Sequence, residues 1–203
     1  MGSFWDTKSG KLSIRGEDVY LGWMRSGVFA WSARDYNGKD GSVAPMIKSA
    51  TEGIVLPDFF CAWLGTSWWI EVKYKTIRLY WKNHSCYYIG IESRLLSDYS
   101  RIAFETGLRC DLVVYCADVR KWFYLPDVPT VTPSDLGCEG IRTGDSAGTP
   151  MSNYYIEWFT EFSSNDDPLL LPVIALENLA KWQDSKEHTL IRTTVKGRES
   201  KGG

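Results

Sequence analysis

Asp58, Glu71 and Lys73 are the residues whose types and spacing could do chemistry together. Asp58 follows Pro57, the twelve residues 59–70 intervene, and the triplet Glu71-Val72-Lys73 closes the set. Paired carboxylates suit a hard divalent cation, Mg2+ or Mn2+, which prefers carboxylate, water and phosphate oxygens; the backbone carbonyl of Val72 could add a ligand. A cation held in this way would polarise a phosphoryl group and lower the pKa of a bound water. Lys73 would orient that water or steady the charge of a pentavalent phosphate. The chemistry served is phosphodiester hydrolysis.

Such chemistry needs Asp58 and Glu71 side by side, and the flanking sequence supplies the means. Phe59–Leu64 and Trp68–Lys75 read as strands, joined by a tight connection at Leu64–Ser67 that contains Gly65. Side chains alternate along a strand, so Trp69, Glu71, Lys73 and Lys75 share one face, while Trp68, Ile70, Val72 and Tyr74 form the core-facing set. Pairing of the two strands as a hairpin would bring Asp58 near Glu71. Charged groups in so apolar a strand are costly unless compensated, and a divalent metal with a phosphate ligand compensates them.

The remaining elements form a frame for this hairpin. Arg15–Val28 predicts a helix capped by Ser13, with Val19, Tyr20, Trp23, Met24 and Gly27 on one stripe. Val28–Ala33 predicts a strand, and the polar, Gly-rich Asp35–Gly53 a surface loop. Glu92–Thr106 predicts a second helix, with Leu95, Leu96, Tyr99, Ile102 and Ala103 on one side and Gly107 as its stop. Asp111–Cys116 is nearly all apolar, as a strand covered on both faces should be. Lys121–Leu125 is a further strand ending at Pro126. Pro126–Pro150 reads as loop, Asn153–Phe162 as strand or helix, and Leu169–Gln183 as a helix.

Pro57-Asp58 followed by Glu71-Val72-Lys73 resembles the PD-(D/E)XK signature of the restriction-endonuclease-like nuclease superfamily. Gly16-Glu17 on the first helix is similar to the acidic residue that many Holliday junction resolvases place before the core to aid metal binding. The helix after the lysine strand, and the strand DLVVYC beyond it, are similar to the superfamily's αβββαβ core. The resemblance implies an α/β (α+β) fold with a central mixed sheet flanked by helices and a C-terminal extension. It implies a Mg2+-dependent or Mn2+-dependent DNA endonuclease of repair, recombination or phage DNA processing, acting on branched or other DNA. Its catalytic residues would be Asp58, Glu71 and Lys73, and its metal ligands Glu17, Asp58, Glu71 and Val72. The polar residue of the second helix would fall to Arg94, Ser97 or Arg101. Resolvase-like enzymes often work as dimers, which gives the expectation of a homodimer. The division expected is an N-terminal segment at 1–14, the nuclease core at 15–125, an extension packed on it at 126–190, and a disordered tail at 191–203.

Composition sets the outer bounds. A chain of 203 residues with 44% hydrophobic content can bury one substantial core. The formal net charge of −2 exerts no global pull on nucleic acid, so a polyanion must be met by a local patch. Lys75, Arg78 and Lys82, interleaved with Tyr74, Tyr80 and Trp81, are the best such patch and would grip phosphates and stack bases. The five cysteines, Cys61, Cys86, Cys110, Cys116 and Cys138, form no CxxC pair, and no secretory leader is visible. They therefore read as reduced thiols of a cytoplasmic protein. His84 and His188 are too few for a structural zinc site, and the apolar runs are too short to span a bilayer.

Each of these residues also has a plainer reading. Glu71 and Lys73 would then be an ion pair on a solvated edge strand, Asp58 a turn residue after Pro57, and Glu17 an acid favoured by the dipole at a helix N-terminus. The basic run would be a solvated face. At the level of function the competing reading is a catalytically inactive nuclease-fold module that binds nucleic acid or protein.

Overall fold

The computed structural model of the chain describes residues 8–24, 29–32, 46–48, 53–81, 85–128, 144–146, 149–182 and 184. In chain order they form α1 (Lys8–Met24), β1 (Phe29–Ser32), β2 (Met46–Lys48), β3 (Gly53–Val55), β4 (Phe59–Trp63), β5 (Thr66–Lys75), β6 (Leu79–Trp81) and β7 (Cys86–Glu92). Then follow α2 (Ser93–Thr106), β8 (Cys110–Cys116), β9 (Lys121–Leu125), β10 (Gly144–Ser146), β11 (Thr149–Tyr155), a 3-10 turn at Ile156–Trp158, β12 (Thr160–Phe162) and α3 (171–182).

The longest strand, β5, organises the molecule. It lies inside a six-stranded sheet of order β1-β4-β5-β8-β9-β12, antiparallel to β4 and parallel to β8. The β4–β5 hairpin closes through Leu64-Gly65, at φ 45° and 80°, between the paired residues Trp63 and Thr66. Two consecutive left-handed residues make the twist of a two-residue turn match that of its strands. Gly65 adopts this conformation freely, whereas Leu64 does so against its side chain. A second sheet, β10-β11-β7-β6, and a small β2-β3 pair complete the strands.

Both faces of the main sheet are covered, which corrects the assignment of only Trp68, Ile70, Val72 and Tyr74 to the core. On one face Trp68, Ile70, Val72 and Val113 pack with Tyr20 and Met24 of α1 and with Leu171 and Ala175 of α3. On the other, Trp69 packs with Tyr99 and Ile102 of α2. Further along that same face, Leu112, Val114, Phe123 and Leu125 meet Ile89, Ile91 and Tyr154 of the second sheet. Leu179 belongs to this second core, so α3 joins the two cores beside β12. Among the described residues no helix is long and apolar enough to cross a membrane.

The order α1-β1-β4-β5-α2-β8 is the expected αβββαβ core, and the architecture is mixed α/β with a central mixed sheet flanked by helices. Several boundaries differ from expectation. α1 begins at Lys8, so Ser13 lies inside the helix rather than at its N-terminus. The stretch Asp35–Gly53 contains β2 and the first residue of β3. β6 and β7 have no counterpart among the expected elements. The Pro126–Pro150 stretch carries β10 and the start of β11, and Asn153–Phe162 divides into strand, 3-10 turn and strand. The helix stop at Gly107 is as expected: its φ is 66° and its N–H donates to the Ala103 carbonyl. Lys82, His84, Cys138, His188 and the 191–203 tail lie outside the described residues.

Candidate active site

The site forms where β4 leaves β5. Phe59 pairs with Ile70, so continuing that antiparallel register by one residue sets Asp58 across from Glu71. Pro57 has no N–H to offer a strand, and the chain bends at Asp58. The Val72 amide, which a longer β4 would have engaged, donates instead to Asp58 Oδ2 at 2.8 Å. Beyond Glu71, among the described residues, β5 keeps its ladder to β8 but has no strand partner on the β4 side. The result, among the described residues, is a notch in the strand ladder beside Val72, Lys73, Tyr74 and Lys75.

Several charged groups converge there. Glu71 is 3% exposed and forms an ion pair with Lys73 two residues on, as expected for a shared face. A buried position in a central strand disposes of the solvated-edge reading. Glu17 is also 3% exposed. It lies well inside α1 rather than at its start, so the helix N-terminus does not explain it. A Cβ built on neighbouring Gly16 would lie 3.6 Å from the Tyr74 ring, which places this part of α1 against β5 at the notch. Burial, Glu71 and then Glu17 hold the Asp58 carboxyl well above its ordinary range, against the opposing pull of Lys73 and the Val72 amide. Burial would lower the Lys73 ammonium, but Glu71, Asp58 and Glu17 together raise it, so it stays charged. Lys75 moves the other way, lowered by burial and by Lys73.

α2 contributes a group that the sequence had placed only in an apolar stripe. Tyr99 is 1% exposed, packs against Trp69, and hydrogen-bonds the Glu71 side chain. Its hydroxyl is raised by burial and by Glu71 and Asp58, and so remains a donor. Tyr99 is thus a polar group of the second helix that meets Glu71, one not among Arg94, Ser97 and Arg101 named from the sequence. A signal existed: a tyrosine in a buried stripe carries a hydroxyl that needs a partner.

The donor set suits a hard cation, since Asp58, Glu71 and Glu17 repel one another and offer oxygen alone. Among the described residues no cluster of three or more His, Cys, Asp or Glu side chains is arranged to hold a metal. Two carboxylates supplemented by backbone and water oxygens are therefore the set to consider. Of the basic run, Lys75 ends β5 on the face of Glu71 and Lys73. Arg78 pairs with Asp118, Nε to Oδ2 at 3.0 Å, and its guanidinium carbon sits 4.2 Å from the centre of the Tyr87 ring.

A second buried polar group lies on the opposite face. Asp111 is fully buried and accepts from Arg109 Nε at 2.9 and 3.0 Å, from the Asp127 amide at 2.9 Å, and from the Tyr124 hydroxyl. With its acceptors filled, it serves the packing of β8 on β9.

No family model matches the chain, and no curated protein matches it. Among solved structures the chain is similar to Hjc, a Holliday junction resolvase from the archaeal hyperthermophile Archaeoglobus fulgidus. The identity is 12% and the TM-score 0.37, over 68% of this chain and 85% of that one.

Proposed function

We propose that the chain is a metal-dependent nuclease that hydrolyses phosphodiester bonds in DNA, with Asp58, Glu71 and Lys73 at its catalytic centre. The observation that carries this is the convergence of buried Glu17 and Glu71 with half-buried Asp58 and a charged Lys73 at the notch. A buried cluster of like charge is expensive to keep, and a cation shared by Asp58 and Glu71 would relieve its repulsion. The Val72 carbonyl and water would complete the ligands, and Glu17 adds its charge to the same cluster.

When bound, such a cation supplies Lewis acidity and a water of lowered pKa. The protein's own groups do the rest. Tyr99 donates to Glu71 and fixes the carboxylate's orientation. Lys73, with no lone pair while charged, serves as neither ligand nor base. It would offset the negative charge that grows on the phosphoryl oxygens. The site lies at a gap in the sheet rather than beneath it, so a strand of DNA could approach. Lys75 is a proposed phosphate contact beside it, with Arg78 at its margin, and Lys82, which lies outside the described residues, is proposed as a contact from the sequence alone. Hydrolysis of branched DNA, in repair or recombination, is the finer form of the same proposal.

The test is nicking of a supercoiled plasmid with Mg2+ or Mn2+, with Glu71→Ala as the control. Nicking by the wild type that is lost both in the variant and in chelator is expected. Cleavage that persists in the Glu71 variant would refute the assignment.

A further inference from the structure

Past the end of β5, two half-exposed tyrosines lie on the second sheet. Tyr80 of β6 and Tyr87 of β7 are paired in register, with ring centroids 5.0 Å apart, and are 50% and 39% exposed. Arg78 fixes this pair. Its guanidinium lies over Tyr87 at 4.2 Å, and its backbone N–H and Nε both donate to Asp118 Oδ2, at 3.3 and 3.0 Å. Asp118 in turn is held near β5, because the adjacent Ala117 amide donates to the Lys75 carbonyl at 2.8 Å. Ile77 and Leu79, 62% and 48% exposed, extend the apolar surface.

Such a surface suits bases better than phosphates. Arg78 is neutralised by Asp118, so the platform offers rings and a planar guanidinium rather than net charge. Stacking on such groups is available to every base once it is unpaired, and is closed to bases inside a duplex. Position completes the case. Lys73 and Lys75 lie on one face of β5 and pair with Val114 and Cys116, the last residue of β8, and Asp118 lies in the turn that follows. The two strand steps from Lys73 to Lys75 span about 7 Å, so the platform past that end lies a few nucleotides away at about 3.4 Å per step.

We propose that unpaired nucleotides of the substrate strand stack on Tyr80 and Tyr87, a few steps from the scissile phosphate. The substrate is then DNA with single-stranded character beside the cut, such as a splayed arm or a flap. This rests on the nuclease reading for the place of the scissile phosphate, and the experiment keeps the two apart. Binding of splayed-arm DNA and of blunt duplex is measured by fluorescence anisotropy, with Ca2+ in place of Mg2+, for the wild type, Tyr80→Leu, Tyr87→Leu and Tyr80→Phe. Cleavage by Glu71→Ala is scored separately. Stacking on alanine-scanned aromatics supports about a tenfold loss per base contact. The leucine variants should therefore lose about tenfold on splayed-arm DNA and little on duplex, with the salt slope unchanged because no phosphate contact is removed. Tyr80→Phe should keep the preference. Equal losses on both DNAs, no loss on either, or no binding of DNA by the wild type would overturn the platform. Cleavage that survives Glu71→Ala would overturn the nuclease reading and leave the binding preference standing.

Discussion

Replacing Asp58 by asparagine should make the metal-free protein more stable while abolishing cleavage. The asparagine side chain would keep an acceptor for the Val72 amide, now bonded to the carboxylate at 2.8 Å, and would remove a charge from the cluster. Facing residues of an antiparallel pair have Cβ atoms about 5 Å apart. With the charges then roughly 6 Å apart, at an effective dielectric of about 20, repulsion from Glu71 comes to roughly 3 kcal/mol. Lys73 offsets part of this, leaving about 1–2 kcal/mol, or roughly 2–8 °C in Tm for a chain of this size. The pH dependence follows from the direction of the shift. The folded-state pKa of Asp58 is raised, so the native form favours the protonated carboxyl. Native stability is therefore lost as pH climbs from the ordinary carboxylate range, near 3.9, through the raised folded value. The gap between variant and wild type should be small at the acid end of that window, widen across it, and then level off. Thermal melts in chelator across this range measure the gap. An asparagine variant less stable than wild type at neutral pH, or a gap that does not change with pH, would refute the reasoning.

Three other sets of substitutions probe different parts of the molecule. Tyr99→Phe removes a hydrogen bond to a buried carboxylate and should cost about 1.5–3 kcal/mol in urea unfolding. It should also weaken Mn2+ binding by about 10–100-fold, and unchanged calorimetric affinity would count against a positioning role. Glu71→Ala should lose Mn2+ binding and activity together, whereas Lys73→Ala should keep the metal and lose most turnover; calorimetry on both separates ligand from phosphate partner. Leu64→Asn places a residue tolerant of positive φ where an exposed leucine now sits at 45°. It should add about 0.5–1 kcal/mol, read from denaturant midpoints with the m-value unchanged.

The parts of the fold legible in the sequence were those whose signal is local. The β4–β5 hairpin carried two aromatic-rich runs around a Gly turn, α2 an apolar stripe with Gly107 at its end, and β9 appeared with its bounds intact at Lys121–Leu125. β7 escaped because it runs straight into α2 with no turn residue between them, and because Gly90 looks like a break. Its partner explains the glycine: a Cβ there would meet the Asn153 side chain at 2.5 Å, a contact with β11 that no local pattern reports. The start of α1 was missed because Gly10 and two serines lower its propensity, and tertiary packing overrides them. At the site, Asp58, Glu71 and Lys73 could be named from spacing and face. Tyr99 was passed over, because its apolar neighbours drew attention from a buried hydroxyl that needed a partner, and the use of Asp58 to hold Val72 depended on where β4 ended.

That last bond has a spectroscopic consequence. The Val72 amide is held by a side chain rather than by a ladder, so its proton is secured only as long as Asp58 stays where it is. Neighbouring amides paired to β8 should be protected from deuterium by the whole sheet, while Val72 opens with the local motion of one carboxylate. A single backbone resonance in the middle of the protein can thus report on Asp58, residue-resolved and without any substrate. A cation that draws on the carboxylate, or a proton that neutralises it, would be visible at Val72 before the rest of the fold responds.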